Sequence, residues 1–362
     1  MNNPAEQYII RVMNGRQRGL GASLLRGALA AAEPFYSGIV SLRNRRYNRG
    51  RGVKKLPRPV ISVGNITAGG TGKTPVVRWL CEQLRAAGRH PAVLLRGYKS
   101  TGGVSDEQRM LQDALNGPGQ TPIVVHINPN RFAGGNDVLR EHPEVDVFVL
   151  DDGFQHRRLA RDVDLVLINA TEPFGHDRVH PRGLLREPLR GLRRAHAVLI
   201  TRSDEVDAEA LAQIEQRIRE HAAAPIFHAM HAQVGFRSNS AFHPIEELAG
   251  KRLFAFCGIG DPESFLRQLQ SRAGNLVGSR VFADHHVYTD RDLGQLNQAA
   301  ATAGAEALVT TEKDWAKLGA AIPSSLPIWR IEMAIRFRLG DEATLLRQMV
   351  PSPPVLRGRG LG

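Results

Sequence analysis

The residues best suited to chemistry form one run, Thr67-Ala68-Gly69-Gly70-Thr71-Gly72-Lys73-Thr74. It follows an apolar strand pattern, Val60-Ile61-Ser62-Val63, and opens a helix expected over Thr74–Ala87. That context suits a loop that cradles phosphates. Glycines let successive backbone N–H groups turn inward, and the helix N-terminus adds partial positive charge. Lys73 would reach the β- and γ-phosphates of a nucleotide, and the Thr74 hydroxyl would ligate Mg²⁺. The strict pattern places Gly five residues before Gly72, where this chain has Thr67.

A second element complements the first. Val145-Asp146-Val147-Phe148-Val149-Leu150-Asp151-Asp152-Gly153 reads as a buried strand ending in two carboxylates. Ligands of open α/β sheets bind at the carboxyl ends of strands. One of the two aspartates is expected to hold the metal, directly or through water, with Asp151 the first choice and Asp152 the other acid of the same site. Together the two elements indicate ATP or GTP with Mg²⁺, without naming an acceptor. Thr201-Arg202-Ser203-Asp204 lacks the Asn and Lys of a guanine-reading motif.

The elements that must hold these groups alternate. Short apolar runs at Ala92–Leu95, Ile123–Val125, Leu165–Asn169 and Ala197–Thr201 are separated by helical patterns at Asp106–Leu115 and Arg131–Glu141. This predicts an α/β fold, a parallel sheet of the phosphate-loop NTPase kind flanked by helices. After a helix from Asp207 to about Ala222 and a connector at Ala241–Gly250, a second alternating unit begins. It has strands at Leu253–Cys257, Arg280–Phe282, Ala307–Thr310 and Pro327–Ile331, and helices at Pro262–Gln270 and Asp290–Ala303. The expected organisation is a basic amphipathic segment over 1–58, a nucleotide-binding domain over 59–240, a smaller α/β lobe over 241–350, and a disordered Pro/Gly-rich tail over 351–362.

Composition narrows the function classes. The chain has 362 residues, 42% hydrophobic and 23% charged, enough to bury a sizeable core. Cys81 and Cys257 stand alone and without metal-ligand spacing, which excludes a zinc ribbon or a disulfide framework. Aromatics are sparse at 6%, so a base-stacking platform is not expected. The formal charge of +12 is concentrated at one end, since residues 1–58 carry twelve Lys or Arg against Glu6 and Glu33. Leu20, Leu24, Leu25, Ala28, Leu29 and Ala32 fall at helical spacing just before the basic stretch Arg43–Arg58. The uncharged run Pro34–Leu42 is too short to span a bilayer. An amphipathic N-terminal helix lying in an anionic membrane surface is the expected arrangement.

Seven motifs in order give the chain a family resemblance. They are Val63 to Pro75 around the phosphate loop, Arg96-Gly97-Tyr98, Ser105-Asp106-Glu107-Gln108, Asp151-Asp152-Gly153-Phe154-Gln155-His156, Leu184-Leu185-Arg186-Glu187-Pro188, Ala283-Asp284-His285-His286 and Thr311-Glu312-Lys313-Asp314. The sequence resembles the tetraacyldisaccharide 4′-kinases, the ATP-dependent kinases of lipid A assembly. The resemblance implies a tetraacylated glucosamine disaccharide 1-phosphate as acceptor. It also implies Asp106 as the group that orients the 4′-hydroxyl or takes its proton, paired with His285. Lys73 and Asp152 complete the implied catalytic set, and ATP and Mg²⁺ are the implied cofactors. The expected enzyme is a monomer, peripheral on the cytoplasmic face of the inner membrane, with no nucleic-acid partner. The alternative is a membrane-associated switch ATPase of the partitioning type. Ala68 stands where those proteins carry a lysine.

Overall fold

A computed structural model describes residues 4–13, 15, 17–97, 106–116, 120–238, 241–273, 275–284, 286–318 and 324–350. Two helices lead, α1 (Pro4–Met13) and α2 (Leu20–Asn48). Strands β1 (Val60–Asn65), β2 (Pro91–Leu95), β3 (Val124–Ile127), β4 (Val147–Asp151), β5 (Val163–Asn169) and β6 (Ala197–Thr201) follow. They are interleaved with α3 (Lys73–Ala86), α4 (Asp106–Leu115), α5 (Arg131–Glu141) and, after β6, α6 (Ala208–Arg219). Then come β7 (Ile226–Ser238), β8 (Ala241–Pro244), β9 (Leu253–Cys257), α7 (Pro262–Ala273), β10 (Leu276–Val281), α8 (Asp290–Thr302), β11 (Ala307–Thr311), α9 (Glu312–Leu318), β12 (Ile328–Phe337) and α10 (Asp341–Met349).

The twelve strands among the described residues join one sheet. Its order is β10-β9-β11-β12-β7-β6-β5-β1-β4-β2-β3, with β8 beside β7. The strands from β7 to β3 pair in parallel, as the alternating pattern predicts, and β1 lies between β4 and β5. Central strands β1, β2, β4 and β6 are buried at every position, which requires apolar side chains on both faces.

The long strand β7 has no counterpart in the sequence reading. It pairs in parallel with β6 through Ile226–His228 and antiparallel with β12 from Ala229 to Arg237. The expected boundary at residue 240 falls between β7 and β8, which pair with each other. The C-terminal elements also enter the core under the phosphate loop. Ile335 of β12 and Leu345 and Met349 of α10 belong to the apolar cluster that holds Val76 and Leu80 of α3 and Val63 of β1. Trp79 of α3 packs on Phe337 at 4.5 Å and donates its indole N–H to Glu342 at 2.7 Å.

Helix α2 is apolar on two faces. Its inner face carries buried Ala22 and Val40, with Tyr36 packed against the cluster that includes Phe154 and Ile66. Leu20, Leu24, Phe35, Ile39 and Leu42 line the opposite face at helical spacing and are between 66% and 86% exposed. Among the described residues no helix is long and apolar enough to cross a membrane.

Candidate active site

The phosphate loop leaves the buried end of β1 and closes on the first turn of α3. Gly69 and Gly72 hold positive φ, 122° and 72°, and Gly72 caps the helix in the left-handed region. Two walls set the loop's shape. On one side the Ala68 N–H donates to the Leu184 carbonyl at 2.6 Å and the Arg186 N–H to the Ile66 carbonyl at 2.8 Å. On the other, the Thr201 hydroxyl donates to the Thr71 carbonyl at 3.1 Å. Thr67 and Thr71 are buried in the loop's floor, while Ala68, Gly69 and Gly70 form its more open rim. Asn65 steadies the base, donating to the Thr67 carbonyl at 2.8 Å.

His231 of β7 completes the wall and was not singled out from sequence. A Cβ placed on Gly72 would stand 1.9 Å from its ring. Gly72 therefore serves twice, for its conformation and for the space the imidazole occupies. Burial, then the nearby Arg202 guanidinium, push the His231 imidazole down to about 4, so the ring is neutral at physiological pH. No local motif marks His231, because its partner is brought to it only by the long β7 strand.

Lys73 points into a charged cluster at the loop's mouth. Its ammonium lies 3.3 Å from Asn65 Oδ1 and 3.5 Å from Asp152 Oδ1. Asp152 follows β4 in a left-handed conformation, φ 51°, a strained position for a non-glycine residue. Arg186 holds both of its carboxylate oxygens and also reaches Gln155 Oε1 at 3.4 Å. Burial alone would raise the Asp152 carboxyl, but Lys73 and Arg186 outweigh it and hold it below the ordinary carboxylate range.

Asp151 is buried at the carboxyl end of β4, opposite Val63 in the parallel β1–β4 register. Thr74 is on the first turn of α3. A hydroxyl and a carboxylate beside a phosphate loop are hard oxygen donors. They suit Mg²⁺, which takes few protein ligands and completes its shell with phosphate oxygens and water. Among the described residues no group of three His, Cys, Asp or Glu is placed to hold a metal ion.

The implied Asp106–His285 pair falls partly outside the description. Asp106 is the first residue of α4, the crossover between parallel β2 and β3, which places its backbone at the strands' carboxyl edge; its side chain lies outside the described residues. His285 lies outside them as well. Its neighbours are firmly set. His286 stacks on Phe282 at 4.6 Å and bonds Asp292 at 3.1 Å. Buried Asp314, from the Thr311–Asp314 motif, accepts from the Gly258 N–H at 2.9 Å and from the Thr311 hydroxyl at 2.7 Å. Gly258 in turn approaches Ala283 and His286 closely. The motif of Thr311 to Asp314 thus braces Gly258, against which Ala283 and His286 pack.

The Leu184–Pro188 segment ties α2 to this site. Tyr36 donates its hydroxyl to the Arg186 carbonyl at 3.1 Å, and Asn44 donates to Glu187 Oε2 at 2.9 Å. Glu187 is fully buried and also accepts from Gln155 at 3.2 Å and Arg194 at 2.7 Å.

Comparison with known proteins shows the family. The family model for tetraacyldisaccharide-1-P 4′-kinases (LpxK) matches residues 25–352. A tetraacyldisaccharide 4′-kinase of Geobacter sulfurreducens is 37% identical over 344 residues, covering 90% of this chain and 94% of that protein. One from Geobacter metallireducens is 39% identical over 313 residues, covering 82% and 89%. The crystal structure of LpxK from Aquifex aeolicus in complex with ATP superposes with a TM-score of 0.70 at 28% identity, covering 90% of this chain and all of that one.

Proposed function

The chain belongs to the tetraacyldisaccharide-1-P 4′-kinase family, and from that premise we propose how its own residues perform the transfer. The reaction moves the γ-phosphoryl group of ATP to the 4′-hydroxyl of a tetraacylated glucosamine disaccharide 1-phosphate, giving lipid IVA and ADP. The bond from the 4′-oxygen to the γ-phosphorus forms as the bond from that phosphorus to the bridging oxygen breaks. The hydroxyl proton leaves to a base. The observation that carries this reading is the glycine-lined loop ending in Lys73, with Asp151 and Asp152 beside it at the sheet's carboxyl edge.

In this reading the backbone of Thr67–Thr74 receives the phosphates and Lys73 follows the charge that develops on them. Thr74 and Asp151 would hold Mg²⁺, which would supply positive charge against that of the phosphates. Asp152 and Arg186 position the Lys73 ammonium. Asp106 orients the acceptor hydroxyl and takes its proton, and His285 supports that carboxylate.

The acceptor's acyl chains stay in the bilayer while its sugar reaches the cleft. The exposed apolar stripe of α2 supports docking on a membrane surface, and the basic residues at its C-terminal end support an anionic one. The enzyme then acts as a peripheral monomer at the cytoplasmic face of the inner membrane.

The test is transfer of labelled γ-phosphate to the tetraacylated disaccharide 1-phosphate in detergent micelles, with wild type, Lys73→Ala and Asp106→Ala in parallel. Wild type should form product. Asp106→Ala should lose roughly two orders of magnitude or more in kcat while still binding ATP. A folded, ATP-binding wild type that transfers nothing to this lipid would remove the acceptor assignment.

A further inference from the structure

A cavity of about 190 Å³ lies between α2 and the 3₁₀ turn Leu189–Arg194, with Glu187 in its wall. Five arginines line it, Arg45, Arg157, Arg190, Arg193 and Arg194, against the single carboxylate of Glu187. That carboxylate is already engaged by Asn44, Gln155 and Arg194. Arg157 donates to the Asn44 carbonyl and to Asn48, and Arg190 to the Ser41 hydroxyl, all neutral partners. Among the described residues none of Arg45, Arg157, Arg190 and Arg193 forms an ion pair.

Such a cluster carries an unmet demand for negative charge. Arg194 keeps its Nε buried without a hydrogen-bond partner. Burial, then Arg194 and Arg161, push Arg157 down to about 10, as expected for a guanidinium hemmed in by its own kind. Placing like charges together around an empty volume costs stability. An anion with several oxygens would satisfy them together, since planar guanidinium groups match phosphate geometry. The volume is well above the ~30 Å³ share of one water molecule.

We propose that this cavity is a binding site for a phosphate group distinct from the phosphates of the nucleotide. Two sources share that chemistry, the headgroup of an anionic membrane lipid and free phosphate. The position favours the headgroup. The exposed stripe of α2 ends at Leu42, and the cavity takes Ser41 beside that residue and Asn44, Arg45 and Asn48 from the turns just beyond. A stripe submerged in acyl chains would carry these residues at headgroup depth.

The experiment uses the full chain in a Lys73→Ala background, which weakens the phosphate loop equally in every variant compared. Its variants are Arg45→Ala/Arg193→Ala in the cavity and Arg43→Ala/Arg46→Ala, an equal loss of charge on α2 outside it. One arm measures the rise in Tm with inorganic phosphate against chloride at constant ionic strength. The other measures flotation with phosphatidylcholine vesicles, with and without phosphatidylglycerol. The site predicts that the cavity pair weakens phosphate binding about tenfold, the loss of one to two charge-assisted contacts, while the control pair does not. Loss of the preference for phosphatidylglycerol in the cavity pair alone identifies a lipid headgroup. Loss of phosphate stabilisation with that preference intact identifies a soluble ligand. A cavity pair that behaves as wild type, or no differently from the control pair, in both arms overturns the proposal. Arg45 and Arg193 are exposed side chains, so their removal leaves the fold intact.

Discussion

Arg186 reaches Asp152 through a single guanidinium nitrogen, Nη1, which lies 2.7 Å from both carboxylate oxygens. The same carboxylate stands 3.5 Å from the Lys73 ammonium. Incoming phosphates must therefore draw Lys73 away from an acid whose charge is shared with Arg186. Without Arg186, Asp152 would hold Lys73 more tightly. Arg186→Ala is expected to weaken ATP binding about tenfold, within the range for losing a charged hydrogen-bond partner. Adding Asp152→Asn, which tolerates the left-handed backbone, should restore most of that loss. Calorimetric titration of ATP checks this; two losses that simply add would refute the sharing of Asp152.

Gly72 meets the His231 ring where any Cβ would overlap it, and it also holds a left-handed backbone. Gly72→Ala should lower stability by about 2 kcal/mol or more, combining backbone strain with overpacking. His231→Ala vacates the space but leaves the strain. The double variant should regain about half of the loss, readable in urea unfolding. No recovery would mean that the ring yields freely.

Glu312 packs with Arg78 and with a second acid, Glu332, which Arg237 also holds. Burial, and next to it Glu332, push the Glu312 carboxyl up to about 7 against the pull of Arg78. The folded state then holds this proton more tightly than the unfolded chain does. Its contribution is complete below the ordinary carboxylate range and is lost as pH rises through about 7. Glu312→Gln should remove that slope, gaining about 1–3 kcal/mol on wild type between pH 5 and pH 8. Denaturant unfolding at several pH values measures the difference, and parallel curves for the two proteins would rule out a raised carboxyl.

Leu24 and Phe35 are exposed on α2 and contribute little to the folded core. Leu24→Ser/Phe35→Ser should leave Tm within a degree or two, as surface changes usually do. The same pair should cut vesicle association about tenfold or more, since each buried apolar side chain is worth ~1.5–3 kcal/mol. Co-sedimentation with vesicles reads the effect, and unchanged sedimentation would dismiss the stripe as the docking face.

Much of the fold was legible because its signals are local. The apolar runs of β1, β2 and β6 and the helical spacing of α5 leave little choice of element. The phosphate loop declared itself through Gly72-Lys73-Thr74 after a buried strand. Strand β7 did not. Ile226–Ser238 contains three alanines or glycines, two histidines and a glutamine, and alternation is broken where it changes partner from β6 to β12. Its stability comes from long-range pairing, which composition does not record. The two faces of α2 were merged for a related reason. Leu20 and Leu24 face outward while Leu25 and Leu29 turn toward the body, and spacing alone cannot say which apolar face has a partner. His231 and Glu187 act through contacts that only the folded sheet creates.

The contact of Trp79 with Phe337 and Glu342 sets the order in which a growing chain can mature. A ribosome that has delivered residue 240 has delivered every residue of the phosphate loop, yet β12 and α10 are still to come. Until they arrive, the Trp79 side of α3 lacks Phe337 and Glu342, and the nascent half-molecule exposes that side to chaperones and proteases. A stop codon near residue 330 would therefore damage a nucleotide site more than two hundred residues upstream.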